Sequence, residues 1–275
     1  MPYINSNQNG TGPVNIYYND LGKGKNVVFI HGWPLNSEMW EYQITDFYNR
    51  DMRCITYDRR GFGKSGWPSA GYDHDTLAGD LKSVLDELDL QDVTLVGFSM
   101  GGGEIARYFS LYGGARVIKV ILISAVVPYM LRTDSNPEGT PNEIFEQMTA
   151  KMLEDRPEFL RTFAKTFFGT GLVSHPVSDA FLDNNLTRAM NSSPIATIEC
   201  AKSFGFTDFR EDVLRINVPA LIIHGDADKT VPIEASAQQS ARLIPNAILK
   251  VYPGAPHGLW FTEKDKLNHD ILDFI

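Results

Sequence analysis

Gly97-Phe98-Ser99-Met100-Gly101 sets a serine between two glycines where an apolar run, residues 93–96, gives way to a helical pattern through Gly102-Gly103-Glu104-Ile105-Ala106-Arg107-Tyr108. So sharp a turn between strand and helix forces the serine into a strained backbone conformation and lifts its hydroxyl to the edge of the sheet. Glycines on either side remove the Cβ atoms that would clash. The helix starts at the serine, so its unpaired N–H groups and the positive end of its dipole face any oxyanion formed there. The plainer alternative is a glycine-rich turn with an idle serine; the strand before it and the helix after it favour a nucleophile.

A serine hydroxyl attacks only when a base takes its proton and a carboxylate orients that base. In strand–turn–helix sites of this kind the three follow in the order serine, acid, histidine. Two histidines come late enough: His257 in the turn-forming Gly254-Ala255-Pro256-His257-Gly258, and His269 between Asn268 and Asp270 on a polar helical face. His257 is the expected base. For the acid, Gly225-Asp226-Ala227-Asp228 follows the apolar run that ends at His224. Either aspartate could serve. Asp228 is expected because it reaches further from the strand, whereas Asp226 stands where a carboxylate bonds loop N–H groups. Acyl transfer also needs N–H donors for the oxyanion, one from the residue after the nucleophile and one from the loop after an early strand. Met100 and, in His31-Gly32-Trp33-Pro34, Trp33 are the expected donors, with His31 bracing the loop rather than acting as a second base.

Two phosphate-binding patterns fail on context. Gly61-Phe62-Gly63-Lys64-Ser65-Gly66 matches G-x-G-x-x-G, but Asp58, Arg59 and Arg60 separate it from the preceding strand and a loop, not a helix, follows it. Its Gly-Lys-Ser ending resembles a P-loop, yet Asp58 occupies the place of that motif's first glycine. Asp208, Glu211 and Asp212 read as a capped or solvated helix start rather than a metal site.

The elements that must carry these residues can be read from hydrophobic spacing. Residues 14–19 alternate, while 26–31, 53–57, 93–97, 117–123, 219–224 and 248–252 are continuous apolar runs, as expected of strands buried on both faces. Leu77, Leu81, Val84, Leu85 and Leu88 recur at helical spacing, with Asp80, Lys82, Asp86 and Glu87 opposite. Strands alternating with helices predict an α/β fold with a mostly parallel sheet. Residues 128–215 break the rhythm with helical stretches at 144–153 and 159–168, divided by Pro157 and stopped by Gly169. The expectation is a core in two parts, 1–127 and 216–275, with 128–215 as an all-helical cap over the C-terminal edge of the sheet, where ligands bind.

Composition narrows the partners. At 43% hydrophobic and 21% charged the chain is too apolar for disorder, and 25 basic against 34 acidic residues give −9, a poor match for nucleic acid. The longest apolar stretch, 120–131, carries Ser124 and Pro128 and falls short of the ~20 residues that span a bilayer. Cys54 and Cys200 cannot form a disulfide framework, and the N-terminal residues show no secretory pattern, so a cytoplasmic protein with neither membrane nor nucleic-acid partners is expected. A homo-oligomer stays open.

Taken together, FIHGWP, TYDRRGFGKS, VTLVGFSMGGGE, LIIHGDADKTVP and PHG resemble the α/β-hydrolase fold, and within it the bacterial arylesterases and cofactor-free haloperoxidases, or perhydrolases. The similarity runs from about residue 14 to the C-terminus. It implies Ser99, Asp228 and His257 as a triad, Trp33 and Met100 at the oxyanion hole, DRRGFG as a structural loop, small esters as substrates, hydrogen peroxide as a second acceptor, and no cofactor or metal. Haloalkane dehalogenases share the fold but carry aspartate where Ser99 stands. Pro34 resembles the haloperoxidase form of the oxyanion loop: a proline fixes φ and removes an N–H, which can turn a neighbouring carbonyl toward the site to accept a hydrogen bond from peroxide. For the pocket wall the candidates are Pro34, Val126, Met148, Phe163, Phe167 and Val231. Rival readings are a γ-lactamase or amidase, an acyltransferase or lyase on the same triad, and a ligand-binding receptor on a hydrolase scaffold.

Overall fold

The computed structural model describes residues 2–8, 10, 12–171 and 174–275; residues 172 and 173 of the expected cap lie outside the described residues. Eight strands are found among the described residues: β1 (Tyr3–Asn7), β2 (Pro13–Gly22), β3 (Lys25–Ile30), β4 (Met52–Tyr57), β5 (Val93–Phe98), β6 (Val117–Ile123), β7 (Ala220–Gly225) and β8 (Ile248–Tyr252). They form one sheet in the order β1-β2-β4-β3-β5-β6-β7-β8. From β4 to β8 every neighbour is parallel, while β2 runs antiparallel to both β1 and β4. The chain therefore has the α/β architecture its apolar runs predict, with antiparallel strands at one edge. β1 was not legible, because its Tyr-Ile-Asn-Ser-Asn turns only two side chains inward.

The helices are α1 (Glu41–Phe47), α2 (His74–Glu87), α3 (Met100–Tyr112), α4 (Asn142–Phe167), α5 (Asp179–Met190), α6 (Pro194–Phe206), α7 (Arg210–Val213), α8 (Ala237–Leu243), α9 (Leu259–Thr262) and α10 (Lys264–Phe274). α2 begins where Asp73 accepts the Thr76 N–H at 2.9 Å, and it buries Leu77, Leu81, Val84 and Leu85 of the predicted stripe, while Leu88 lies half-buried just past its end and Asp80, expected on the polar face, is buried against Arg60. Two cores flank the sheet. One holds Val28, Leu95, Val120 and Ile222 with the stripe of α2; the other holds Phe29, Val96, Ile121 and Ile223 with Trp40, Trp260 and Ile271. Successive residues of one strand thus feed opposite layers, which is why these strands read as unbroken apolar runs.

Between β6 and β7 lie α4 to α7 and no strand among the described residues. The segment leaves and returns at one place, where the Phe209 N–H donates to the Pro128 carbonyl at 2.8 Å and Tyr129 bridges Asp208. The break expected at Pro157 falls two residues earlier. Asp155 leaves helical geometry (φ −151°, ψ 86°) and its Oδ1 accepts the Glu158 N–H at 3.0 Å. Pro157 sits inside the first turn of the new helical stretch, where its missing N–H costs nothing. Gly169, at φ +67°, ends the stretch as predicted. No helix among the described residues is long and apolar enough to cross a membrane.

Candidate active site

Because β3, β5, β7 and β8 are parallel, the loops after them emerge at the same edge of the sheet. Those four loops carry Trp33, Ser99, Asp228 and His257 respectively. Ser99 has φ +53° and ψ −117°, a region that side-chain-bearing residues seldom occupy. Its flanks tolerate nothing larger than glycine. A Cβ on Gly97 would lie 2.8 Å from the Gly101 carbonyl oxygen, and one on Gly101 would lie 2.6 Å from the Ile30 carbonyl oxygen. The turn is held by the Ser99 N–H, which donates to the Ile123 carbonyl at 2.8 Å.

His257 Nδ1 lies 2.6 Å from Asp228 Oδ2, and His257 Nε2 lies 3.0 Å from Ser99 Oγ. An ionised carboxylate only accepts, so Nδ1 carries the proton and the neutral ring presents the Nε2 lone pair to the serine hydroxyl. All three side chains are buried. Phe98 and Phe167 pack against the imidazole, their ring centroids 5.0 and 4.6 Å from its own. Asp228 Oδ1 accepts the Thr230 and Val231 N–H groups, both at 2.8 Å. Burial pushes the Asp228 pKa up, but the nearby His257 and hydrogen bonds from His224 and His257 outweigh this and hold it below the ordinary carboxylate range. Asp226 instead accepts the Gly254 N–H at 2.6 Å and ties two loops together. His269 is exposed and pairs with Asp273.

The Gly32 carbonyl accepts from Leu35 N–H at 3.0 Å and lies 2.9 Å from His31 Nδ1. His31 Nε2 accepts the Arg59 N–H at 2.9 Å, so its proton sits on Nδ1 and is donated to Gly32. Burial and then the charge of Arg59 hold the His31 pKa well below its ordinary value, which keeps the ring neutral. A trans peptide points its N–H opposite its C=O. The bracing of the Gly32 carbonyl therefore turns the Trp33 N–H away from these partners. Neither that N–H nor the Met100 N–H, at the first turn of α3, donates to any described residue. DRRGFG forms the surrounding framework. Asp58 accepts the Ser37 and Lys64 N–H groups, Arg59 pairs with Glu104 of α3, and Arg60 pairs with Asp80 of α2. No helix follows it until α2, so the phosphate-site readings lapse.

Above Ser99 lies a cavity of about 200 Å³ lined by Trp33, Ser99, His257, Val126, Val231, Met148 and Phe163, with Met130, Phe145 and Phe204 also in its wall. Two pocket candidates are placed elsewhere. Phe167 packs edge-on against the His257 ring, and Pro34 is buried beside Trp33; neither lines the cavity. Trp33 joins its loop to the helical segment between β6 and β7: its Nε1–H donates to the Thr197 carbonyl of α6 at 2.9 Å, and its ring meets Phe163 and Phe204 edge-on. Cys54 and Cys200 are buried thiols pushed by burial to about 12, far from a nucleophile's range. Among the described residues no group of three or more His, Cys, Asp or Glu side chains comes together to hold a metal ion. Asp208 pairs with Arg210.

The sequence profile of the alpha/beta hydrolase fold family matches residues 25–264. The chain belongs to this family. Within the α/β hydrolases it is similar to a putative non-heme chloroperoxidase of Synechocystis sp., at 43% identity over the whole of both chains. A bifunctional esterase/perhydrolase of Acinetobacter calcoaceticus is 39% identical over 95% of this chain and 96% of its own. The crystal structure of a bromoperoxidase from Bacillus anthracis superposes with a TM-score of 0.94 at 45% identity, covering 99% of this chain and 98% of that one.

Beside the triad, His224 carried no functional signal in the sequence. His224, at the buried end of β7, places Nε2 2.9 Å from the Val231 carbonyl and 3.1 Å from Asp228 Oδ2, the oxygen that also faces His257. A histidine within an apolar strand carries no signal that distinguishes it from packing. Its N–H to an ionised partner is worth about 1.5–3 kcal/mol. His224→Leu is therefore expected to lower kcat roughly ten- to a hundredfold with little change in KM. Steady-state kinetics on a variant shown by thermal melting to be folded check this, and an unchanged kcat would exclude the role.

Proposed function

We propose that this α/β hydrolase cleaves small carboxylic esters through an acyl-enzyme on Ser99 and passes the acyl group to water or to hydrogen peroxide. The relay from Asp228 through His257 to Ser99, at 2.6 and 3.0 Å beneath a small, largely apolar cavity, carries the reading. Ser99 Oγ attacks the ester carbonyl while His257 Nε2 takes its proton. Asp228 holds the imidazole in the required tautomer and stabilises the imidazolium. The Trp33 and Met100 N–H groups receive the tetrahedral oxyanion at the dipole end of α3. His257 returns the proton to the leaving alcohol, then activates water or peroxide to release acid or peracid. Two buried free thiols suit a reducing compartment, and the cytoplasm is proposed.

A fluorophosphonate should attach to Ser99 alone, as read by intact mass and peptide mapping, and p-nitrophenyl esters screened by chain length should show turnover falling once the acyl chain outgrows the cavity. Failure to label Ser99 would overturn the nucleophile assignment. For the acceptor, Pro34 supports peroxide by fixing φ beside Trp33 and withholding an N–H. One hydrogen bond to peroxide is worth ~1 kcal/mol, so Pro34→Leu should lower the ratio of peracid to acid about fivefold at fixed peroxide. An unchanged ratio would remove Pro34 from the account.

A further inference from the structure

Two methionines line the cavity that holds Ser99: Met130, from the segment after β6, and Met148, from α4. Nothing in the ester mechanism uses them. Met130 is only 2% exposed and Met148 is half-buried. Met190, at the end of α5, is half-buried like Met148 but packs in the opposite core layer and does not line the cavity.

We propose that Met130 and Met148 are oxidation sites of this protein, modified to sulfoxides by the peracid it makes. The inference rests on the peroxide half of the proposed function. When peroxide accepts the acyl group, a peracid is released inside a cavity of about 200 Å³ whose wall includes both methionines. A sulfur lone pair attacks the terminal peracid oxygen. The S–O bond forms as the O–O bond breaks, and the peracid proton ends on the departing carboxylate. The products are one carboxylic acid and one sulfoxide, with the peracid as the sole oxidant. Accessibility to bulk oxidant would rank Met148 with Met190 and protect Met130. A source at Ser99 ranks Met130 and Met148 together, ahead of Met190. Each sulfoxide places a polar, chiral S=O on an apolar wall, so occupancy of the site by a neutral ester should weaken. Turnover with peroxide then limits itself in a way that hydrolysis does not, and a sulfoxide reductase would restore it.

The test follows oxygen addition at each methionine by peptide mapping, with peracid quantified in the same solutions. Wild-type protein is given ester with hydrogen peroxide, ester alone, or peroxide alone. Ser99→Ala is given ester with peroxide, or preformed peracid at the bulk concentration that the wild type reaches. Proximity to the source should make Met130 and Met148 gain oxygen about tenfold faster than Met190 in the wild type with ester and peroxide, and in no other arm. Peracid accumulating while Met130 and Met148 oxidise no faster than in Ser99→Ala with preformed peracid would overturn this inference and leave perhydrolysis standing. No peracid formed by the wild type given ester and hydrogen peroxide would overturn both. In the double variant Met130→Leu, Met148→Leu, activity normalised to its own initial rate should decay more slowly over equal peracid turnover; decay at the wild-type rate would exclude these sulfurs as the cause.

Discussion

Ser99→Ala is expected to lower kcat/KM for a short-chain aryl ester by roughly 10⁵–10⁶-fold, because it removes the proposed nucleophilic oxygen and leaves only the proposed oxyanion donors and binding. Fluorophosphonate labelling should vanish with it. Activity within tenfold of wild type would contradict the assignment. The backbone adds a second readout. Ser99 occupies φ +53°, ψ −117°, and alanine there carries the same Cβ in the same strained conformation. Ser99→Gly removes both Cβ and strain. Relief of ~1–2 kcal/mol should put its melting temperature a few degrees above that of Ser99→Ala, with both variants inactive. Equal melting temperatures would show that the turn is held at no cost. A higher value for glycine would show that stability is given up to hold the hydroxyl at the sheet edge.

The nucleophile turn was legible because each of its parts is local: a buried strand, two glycines and a helix start lie within a dozen residues. The sheet was legible for the same reason, except for β1, whose pattern is too short and polar to stand out. Choosing between Asp226 and Asp228 was harder, since both follow one strand and either can leave it as a loop acid. They are separated only by where the β8 loop comes to rest, which puts His257 on Asp228 and the Gly254 N–H on Asp226. The cavity wall was the least legible part. Phe163 and Phe167 share one helical stripe, yet one turn separates a residue that lines the cavity from one that packs edge-on against His257 and does not line it. Met130, Phe145 and Phe204 reach the wall from the segment after β6, from α4 and from α6, a long-range outcome that spacing along the chain does not encode.

Asp228→Asn should lower kcat about 10⁴-fold while the protein stays folded, and the reason lies in which way the new amide must face. Asp228 Oδ1 accepts two backbone N–H groups, from Thr230 and Val231. An asparagine keeps both bonds only by placing its carbonyl oxygen there, which turns its NH₂ toward His257 Nδ1. Nδ1 must then accept, so the proton moves to Nε2 and points at Ser99, and the ring can no longer take the hydroxyl proton. The same NH₂ confronts the His224 Nε2–H, so that histidine must also change tautomer or lose its bond to residue 228. Asp228→Ala removes the orienting group without imposing the wrong tautomer, so it should be no less active than the asparagine variant. Asp226→Asn should stay within a few-fold of wild type, because it disturbs one bond between loops. Steady-state kinetics and fluorophosphonate labelling rates on the three variants, with thermal melts as folding controls, separate the alternatives. If Asp226→Asn were the crippled variant and Asp228→Asn the active one, the acid would have to be reassigned.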